Sequence, residues 1–197
     1  TDTSIKGIND KPIIGVIGGT KSAGIDKFIA GYIQGAKAAN PKVEVKVAYS
    51  NNFGDPAIGL QMTKAMFEEG ADIVYQVAGG TGMGVIQAAK EAGHYAIGVD
   101  TDQDGIAPGA VLTSMVKRTD IAVETMVKDY AGGKFPGGQT VTFGLKENGV
   151  GLSEMKYTKD LIPAAILKKV EEAREGILSG KIKVWNVVDQ GYPDFMK

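Results

Sequence analysis

Short apolar runs alternate along this chain with longer segments in which apolar residues recur every three or four positions. The apolar runs predict buried strands, namely Ile13–Ile17, Val43–Tyr49, Asp72–Val77, Tyr95–Val99, Val111–Val116 and Thr140–Leu145. The recurring pattern predicts helices at about 22–39, 55–69, 81–92, 119–130 and 163–178. Strands and helices that alternate through short loops predict an α/β fold with a doubly wound parallel sheet.

A glycine-rich loop, Gly79–Gly84, follows the third predicted strand and precedes a helix that Thr81 can cap. Backbone N–H groups at such a helix start attract anions, and glycines allow a ligand to approach closely. The G-x-G-x-x-G spacing of dinucleotide sites fails, because Val85 and Gln87 occupy its last position from Gly80 and Gly82. Two interpretations stay open, a tight strand-to-helix turn and, with less support, a phosphate site.

A loop with three carboxylates, Asp100, Asp102 and Asp104, follows the fourth predicted strand. The D-x-D-x-D spacing is typical of calcium loops, but Val111 occupies the twelfth position, where such a loop needs glutamate. Asp100 ends a buried strand, so its two carboxylate oxygens can accept hydrogen bonds from the paired hydroxyls of a sugar. We expect Asp102 and Asp104 to be solvated loop charges, with metal binding as a minor alternative.

Two further candidates belong to the carboxyl ends of the predicted strands, where parallel α/β sheets bind ligands. Phe53 interrupts the polar loop 50–55; it either folds back onto the core or projects over the edge and stacks on a flat heterocycle. Lys117 follows the fifth strand and can reach the same edge, although a solvated lysine is the commoner case. We expect His94 to be structural or exposed.

Composition narrows the classes of function. The 197 residues are 43% hydrophobic and 23% charged, which is typical of a globular protein with one large or two small α/β domains. A net charge of −1 without basic runs argues against nucleic acid as a partner. No cysteine is present, which excludes disulfides and thiolate metal sites, and a single histidine excludes a multi-histidine site. No apolar stretch is long enough to span a bilayer, and no signal peptide is visible at Thr1.

Several segments together resemble one family. They read IIGVIGG, GYIQGAKAANP, NNFGDPAIG, DIVYQVAGGTGMGV, YAIGVDTDQ, VLTSMVKR and FGLKENGVGL. They are similar to the basic membrane protein family, the purine-nucleoside-receptor-like substrate-binding lipoproteins of ABC importers. The resemblance covers essentially residues 13–184 and implies a type I periplasmic-binding-protein fold, in which two lobes clamp a nucleoside.

The resemblance also implies roles for four positions. Phe53 matches an aromatic that stacks on the base, while Gly79, Asp100 and Lys117 match contacts to the ribose. It implies no catalytic residue, no metal and no cofactor. It implies a small-molecule ligand such as guanosine, adenosine or inosine, an ABC transporter permease as partner, and an extracytoplasmic location, either periplasmic or membrane-anchored as a lipoprotein.

One departure from the family concerns length. Family members begin with a whole first lobe, so this chain is expected to be the C-terminal lobe with its crossover segments. We divide it into a hinge segment (1–12), a ligand-binding lobe (13–184) and a tail (185–197) that extends past the family's common end. The helix at 119–130 is then expected to expose apolar surface and to favour self-association or pairing with a first lobe.

Three functions follow in order of support. The first is a solute-binding component of an ABC importer for purine nucleosides, without catalysis, in which this chain carries the ribose subsite and one stacking subsite. The second is a ligand-sensing domain of a regulator. The third is an enzyme acting on nucleosides, for which only Asp100, Asp102 and Ser114 could supply a nucleophile or base, and nothing in the sequence activates Ser114.

Overall fold

A six-stranded sheet forms the centre of the protein. The computed structural model describes residues 2–196, so Thr1 of the predicted hinge segment and Lys197 of the predicted tail lie outside the described residues. The strands are β1 (Ile13–Gly18), β2 (Glu44–Tyr49), β3 (Ile73–Val77), β4 (Tyr95–Asp100), β5 (Val111–Lys117) and β6 (Val150–Leu152). Their order across the sheet is β2-β1-β3-β4-β5-β6, and all neighbours are parallel except the antiparallel pair β5 and β6.

Helices cover both faces of the sheet. They are α1 (Ala23–Ala39), α2 (Pro56–Glu68), α3 (Gly82–Ala92), α4 (Thr119–Ala131), α5 (Ala164–Leu178) and α6 (Val187–Gln190). On one face, Ile17 and Val74 pack with Met66 of α2 and with Val85 and Ile86 of α3. On the other face, β1, β3 and β4 pack against Ile29 and Ile33 of α1. The predicted doubly wound α/β fold is therefore confirmed, with a core in two layers.

The start of α2 and the end of α3 follow their sequence signals. The Asp55 carboxylate accepts a hydrogen bond from the Ala57 N–H at 2.9 Å, and Pro56 occupies the first helical position, where no N–H is needed. Gly93 ends α3 at a φ of 70°, in the left-handed region that glycine adopts freely. Thr81 precedes α3 as predicted, but its side chain makes no capping bond there.

The predicted strand at Thr140–Leu145 is wrong. Thr140–Thr142 are exposed, no strand is assigned over this range, and the place beside β5 belongs to β6, where we predicted no strand. Lys117 pairs with Val150, and the Arg118 N–H donates to the Gly149 carbonyl at 2.8 Å. A β-prone segment forms a strand only where a neighbour offers free backbone groups, and β6 already pairs with Met115–Lys117 of β5.

The residues before β1 lie at the amino edge of the sheet, opposite the predicted ligand edge. The Tyr95 hydroxyl donates to the Lys6 carbonyl at 2.6 Å, and the Asn9 N–H donates to the Asp72 carboxylate at 2.9 Å. His94 is structural, as expected, because its Nδ1 lies 2.8 Å from the Gly7 carbonyl oxygen. Across residues 2–196, none of the helices is both long and apolar enough to cross a membrane.

Candidate functional site

The four predicted site residues lie along the carboxyl edge of the sheet. Phe53 follows β2, Gly79 follows β3, Asp100 ends β4 and Lys117 ends β5. In the strand order β2-β1-β3-β4-β5 they form one row, since neighbouring strands lie about 4.8 Å apart. The sheet thus places an aromatic ring at one end of the row and a pair of charges at the other.

Phe53 lies at the carboxyl edge of the sheet and in neither core cluster, while its stacking role stays a prediction. Its ring lies against Gly19, just beyond β1, so closely that a side chain at Gly19 would overlap it. The Phe53 side chain is 47% exposed. Gly79 is the next neighbour, at a φ of 56°, and a Cβ there would lie 3.1 Å from the Phe53 carbonyl oxygen. Glycine at both positions lets the Phe53 loop lie directly on the strand ends, and about half of the Phe53 surface remains exposed.

Thr81 joins the Phe53 loop to the glycine loop. Its hydroxyl donates to the Asn52 carbonyl at 3.1 Å and accepts from the Asp55 N–H at 3.0 Å. Its own N–H donates to the carbonyls of Phe53 and Ala78. Thr81 is fully buried, so these bonds are protected from water. The side chain that we predicted to cap α3 instead fixes the backbone on both sides of Phe53.

Asp100 has an unusual backbone conformation. Its φ is 68°, and the Thr101 N–H donates to the Val99 carbonyl at 2.8 Å across it. A three-residue turn with a positive φ at its centre is the strained form of the γ-turn. This turn ends β4 and leaves the carboxylate exposed at the edge, and such local strain is common at functional sites.

Lys117 and Asp100 form an ion pair at the ends of neighbouring strands. The Lys117 Nζ lies 3.0 Å from the Asp100 Oδ1 and 5.8 Å from the centre of the Phe28 ring. The pKa of the nearby Tyr75 hydroxyl is raised, chiefly by burial and also by the Asp100 charge, so Tyr75 stays a neutral donor. A carboxylate that accepts and an ammonium that donates can together bind vicinal hydroxyls.

Asp104 corrects one expectation. We expected a solvated loop charge, but Asp104 is 1% exposed. Its Oδ1 accepts hydrogen bonds from the hydroxyls of Ser114 at 2.9 Å and Ser153 at 3.0 Å. Buried carboxylates require such donors, and these two come from β5 and from the residue after β6. Asp104 therefore joins the strands beneath the edge, whereas Asp102 is exposed as expected.

Two glutamines complete this support, and the sequence analysis missed both. The Gln103 Oε1 accepts from the Gln76 side chain at 2.7 Å and from the Val99 N–H at 3.0 Å, immediately before Asp100. The Gln76 Oε1 accepts from the Ala78 N–H, immediately before Gly79. The signal was available, because Gln76 is a lone polar residue in the apolar run of β3, and a buried polar side chain needs partners.

The calcium interpretation of the acidic loop finds no support in the geometry. Asp100 pairs with Lys117, and Asp104 is bonded to serine hydroxyls. In the part of the chain that the structure describes, no three acidic, histidine or cysteine side chains come together as a group that could hold a metal ion.

An apolar cavity of about 610 Å³ lies beside this edge, on the α1 face of the sheet. Of the four predicted residues, only Lys117 lines it. Its other walls include Phe28, Tyr32, Tyr75 and Met115. The predicted site is therefore an open edge rather than an enclosed pocket, and a ligand there keeps one side uncovered by this chain.

Comparison with known proteins finds relatives that match most of this chain. Residues 9–186 match the family model described as ABC transporter substrate-binding protein PnrA-like. The CD4+ T-cell-stimulating antigen of Listeria monocytogenes is 40% identical over 187 residues, which cover 87% of this chain and 52% of that protein. The ABC transporter nucleoside-binding protein BmpA of Lactococcus lactis is 37% identical over 188 residues, with 87% and 52% covered. The chain thus spans about half the length of these relatives.

Solved structures show the same architecture. An ABC transporter solute-binding protein of Aeropyrum pernix superposes with a TM-score of 0.78 at 29% identity, over 88% of this chain and 57% of that one. A protein of Bacillus halodurans described as a transcriptional activator of the comK gene gives 0.77 at 23% identity, over 89% and 59%, and shows likeness of fold alone. The fold is that of type I periplasmic binding proteins, and the chain belongs to the PnrA-like family of ABC transporter substrate-binding proteins.

Proposed function

We propose that this chain contributes the ribose subsite and one base-stacking subsite of a purine-nucleoside-binding protein that serves an ABC importer. One observation carries the proposal: the half-exposed Phe53 and the Asp100–Lys117 pair lie in one row on the same sheet edge. From β1, where the Phe53 ring lies, to β4 the row spans two strand spacings, about 10 Å. A base joined to a pentose fits this span.

At the sugar end, the Asp100 carboxylate accepts hydrogen bonds from the ribose hydroxyls and Lys117 donates one. Charge-assisted bonds of this kind are stronger than bonds between neutral groups. Gly79 is exposed at the end of β3, so the sugar can approach its backbone there. The name of the Lactococcus relative, a nucleoside-binding protein, supports this class of ligand.

At the base end, the Phe53 ring stacks on the flat heterocycle. Such stacking contributes about 1–3 kcal/mol per base and favours purines, whose two fused rings cover more of the phenyl face. Because this chain leaves the other side of the base uncovered, we propose that a second lobe closes over it. The bound ligand then favours the closed form, which a transporter permease recognises outside the cytoplasm.

Helix α4 is the proposed contact surface for that lobe or, in its absence, for a second copy of this chain. Its outward side chains Val123, Val127 and Tyr130 are 63%, 61% and 75% exposed, and Phe135 beside them is also exposed. Contiguous apolar side chains of this kind mark interaction surfaces.

We propose binding without catalysis. Ser114, the only serine that we considered as a nucleophile, is fully buried, and its hydroxyl donates to Asp104 while it accepts from the Gln103 N–H. A hydroxyl so occupied cannot attack a ligand on the edge. After incubation with inosine or adenosine, we expect no free base by chromatography, and steady release of base would contradict this part of the proposal.

Titration calorimetry tests the proposed function. The ligands are guanosine, adenosine, inosine, uridine and ribose, and the variants are Phe53→Ala and Asp100→Asn. We expect purine nucleosides to bind more tightly than uridine or ribose. Phe53→Ala should weaken nucleoside binding by about 5- to 150-fold, which corresponds to the stacking energy.

Asp102→Asn is the matched control, because Asp102 is an exposed carboxylate in the same loop, two residues from Asp100. It should leave affinity unchanged, whereas Asp100→Asn should reduce affinity for every ligand that contains ribose. Equal effects of the two substitutions would contradict the ribose subsite. Absence of binding both to this chain and to the chain supplied with the preceding half of a full-length relative would contradict the proposed function.

A further inference from the structure

The segment after residue 184 holds a buried carboxylate on α1. Asp26 lies in the first turn of α1 with no exposed surface. Its Oδ1 accepts from the Tyr49 hydroxyl at 2.6 Å, and its Oδ2 accepts from the Tyr192 hydroxyl at 2.7 Å. One side chain thus joins a helix start, the last residue of β2 and the C-terminal segment.

The C-terminal segment, residues 185–196, is seated on α1 by further contacts. The Trp185 N–H donates to the Gln34 Oε1 at 2.9 Å, and the Gln34 amide donates to the Lys183 carbonyl at 2.8 Å. Val187 of α6 is buried. The Trp185 indole donates to the Gly191 carbonyl at 2.8 Å, which fixes the turn before Tyr192. Tyr192 lies beyond residue 186, where the family model ends, so the family match assigns it no role.

Tyr49 connects this segment to the candidate site. Its ring lies on Gly18, where a Cβ would be 3.0 Å away, and the ring of Phe53 lies on the adjacent Gly19. Tyr49 also directly precedes the Phe53 loop. The next residue, Ser50, donates through its hydroxyl to the Asn52 carbonyl at 2.7 Å. The Tyr49 ring thus lies on the glycine next to the one that carries the Phe53 ring, and the Tyr49 backbone leads directly into the Phe53 loop.

Both tyrosine hydroxyls are needed by the carboxylate. A buried carboxylate oxygen that loses its donor costs more free energy than an ordinary exposed hydrogen bond contributes. The pKa of Tyr192 is raised, first by its hydrogen bond to Asp26, and that of Tyr49 is raised first by burial and then by the same carboxylate. Both hydroxyls therefore remain protonated donors at neutral pH.

We infer that Tyr192 and Asp26 are positioning residues for Phe53: the C-terminal segment, through Asp26 and Tyr49, holds the loop 50–54 in the conformation that stacks on the base. The inference rests on the proposed function for its ligand, but the positioning itself can be observed without one. Without the Tyr192 hydroxyl, the Asp26 carboxylate has one donor fewer, so it either binds water or changes its position. The Tyr49 side chain and the loop that follows it then become more mobile.

Hydrogen exchange of the free protein is the first test. Tyr192→Phe removes one hydroxyl only, and Tyr157→Phe is the matched control, since Tyr157 is equally exposed, at 43% against 42% for Tyr192. We expect the amides of loop 50–54 to exchange at least about threefold faster in Tyr192→Phe than in the wild type or the control. Unchanged exchange there would overturn the inference. Trp185 fluorescence reports separately whether the C-terminal segment stays on α1.

A double-mutant cycle with purine nucleoside is the second test. Tyr192→Phe and Asp26→Asn should each weaken guanosine binding by about 3- to 10-fold, and this loss should disappear when Phe53 is already alanine. An equal loss in both backgrounds would show that the C-terminal segment affects binding independently of Phe53, and would overturn the inference. If neither this chain nor the chain supplied with the preceding half of a full-length relative binds a nucleoside, the proposed function fails, and the exchange experiment still decides the positioning role.

Discussion

The Lys117 Nζ lies 3.0 Å from the Asp100 Oδ1, across the carboxyl ends of β4 and β5, with 41% and 53% of the two side chains exposed. Ion pairs with this much water around them contribute between about zero and 1 kcal/mol to stability. Each partner can therefore leave the ion pair and bind a ligand instead, with only a small loss of free energy of folding. The pair is therefore suited to binding rather than to holding the fold together.

Lys117→Met should separate these two roles. We expect the free energy of unfolding to change by less than about 1 kcal/mol, and the affinity for ribose-containing ligands to fall by about 3- to 30-fold, because a charge-assisted donor is lost. Chemical denaturation and calorimetry measure the two quantities. Lys146→Met, in an exposed loop, is the control. A large loss of stability with intact affinity would reverse our assignment.

Substitutions of Asp100 should reveal the strain of its backbone. Glycine adopts a φ of 68° freely, so Asp100→Gly should keep the free energy of unfolding or raise it by up to about 1 kcal/mol. Valine is branched at Cβ, so Asp100→Val should lower it by about 1–2 kcal/mol. Both variants should lose ribose affinity. Urea denaturation gives the order of stability, and a glycine variant less stable than the valine variant would contradict the assigned turn.

Asp104→Ala should be the most damaging single change in the acidic loop. It leaves the buried hydroxyls of Ser114 and Ser153 without their acceptor, so the free energy of unfolding should fall by about 2–4 kcal/mol. Asp102→Ala removes an exposed acceptor of the Asp104 N–H and should cost less than about 1 kcal/mol. Thermal unfolding measured for both variants tests the difference; equal costs would mean that the buried network does not hold the strands.

Asp72 gives a dependence of stability on pH. Burial raises its pKa above the ordinary value of 3.8, even though the Asn9 N–H opposes the shift. Between 3.8 and the raised pKa, the folded protein binds more protons than the unfolded chain, so Asp72 makes the free energy of unfolding fall as pH rises through this window. Asp72→Asn should remove that contribution, whereas Asp10→Asn, at an exposed position, should not. Denaturation across pH 3.5–7 compares the slopes, and parallel curves for wild type and Asp72→Asn would count against the shift.

The exposed face of α4 should make the isolated chain self-associate. Sedimentation velocity at rising concentration should show a reversible shift to larger species, and Val127→Glu should abolish it because a charge cannot be buried at an apolar contact. Val141→Glu, which changes an exposed valine outside α4, is the control. A strictly monomeric profile at high concentration would refute the prediction.

The sequence predicted the elements whose signals are local. Five of the six predicted strands form close to their predicted bounds. Helix α2 begins at Asp55–Pro56 and α3 ends at Gly93, as the capping signals predicted. These signals depend on residues that are only a few positions apart, so the sequence alone is enough to recognise them. The order of strand ends then followed from the parallel sheet, which brought Phe53 and Asp100 to one edge.

The misses concern partners that are distant in the sequence. Thr140–Leu145 has the composition of a strand, but whether it pairs depends on β6, which occupies the edge of β5. Asp104 lies in a polar loop and was predicted to be solvated, yet its carboxylate accepts a hydrogen bond from the Ser153 hydroxyl, 49 positions away. Asp26 likewise meets Tyr192 at a separation of 166 positions. Periodicity carries no information about such contacts, so only the folded chain shows them.

The antiparallel pairing of β6 has a mechanical consequence. Residues 118–149 leave the sheet after Lys117 and return at Val150, and these two residues are paired neighbours. Residues 118–149 therefore form a segment whose two ends are held next to each other at the edge of the sheet, and α4 belongs to this segment. Movement of α4 would therefore act on the sheet at Lys117 and Val150, and the Lys117 ammonium faces Asp100. Under the proposed function, contact of another protein with α4 and binding of a ligand at Asp100 would both act on Lys117.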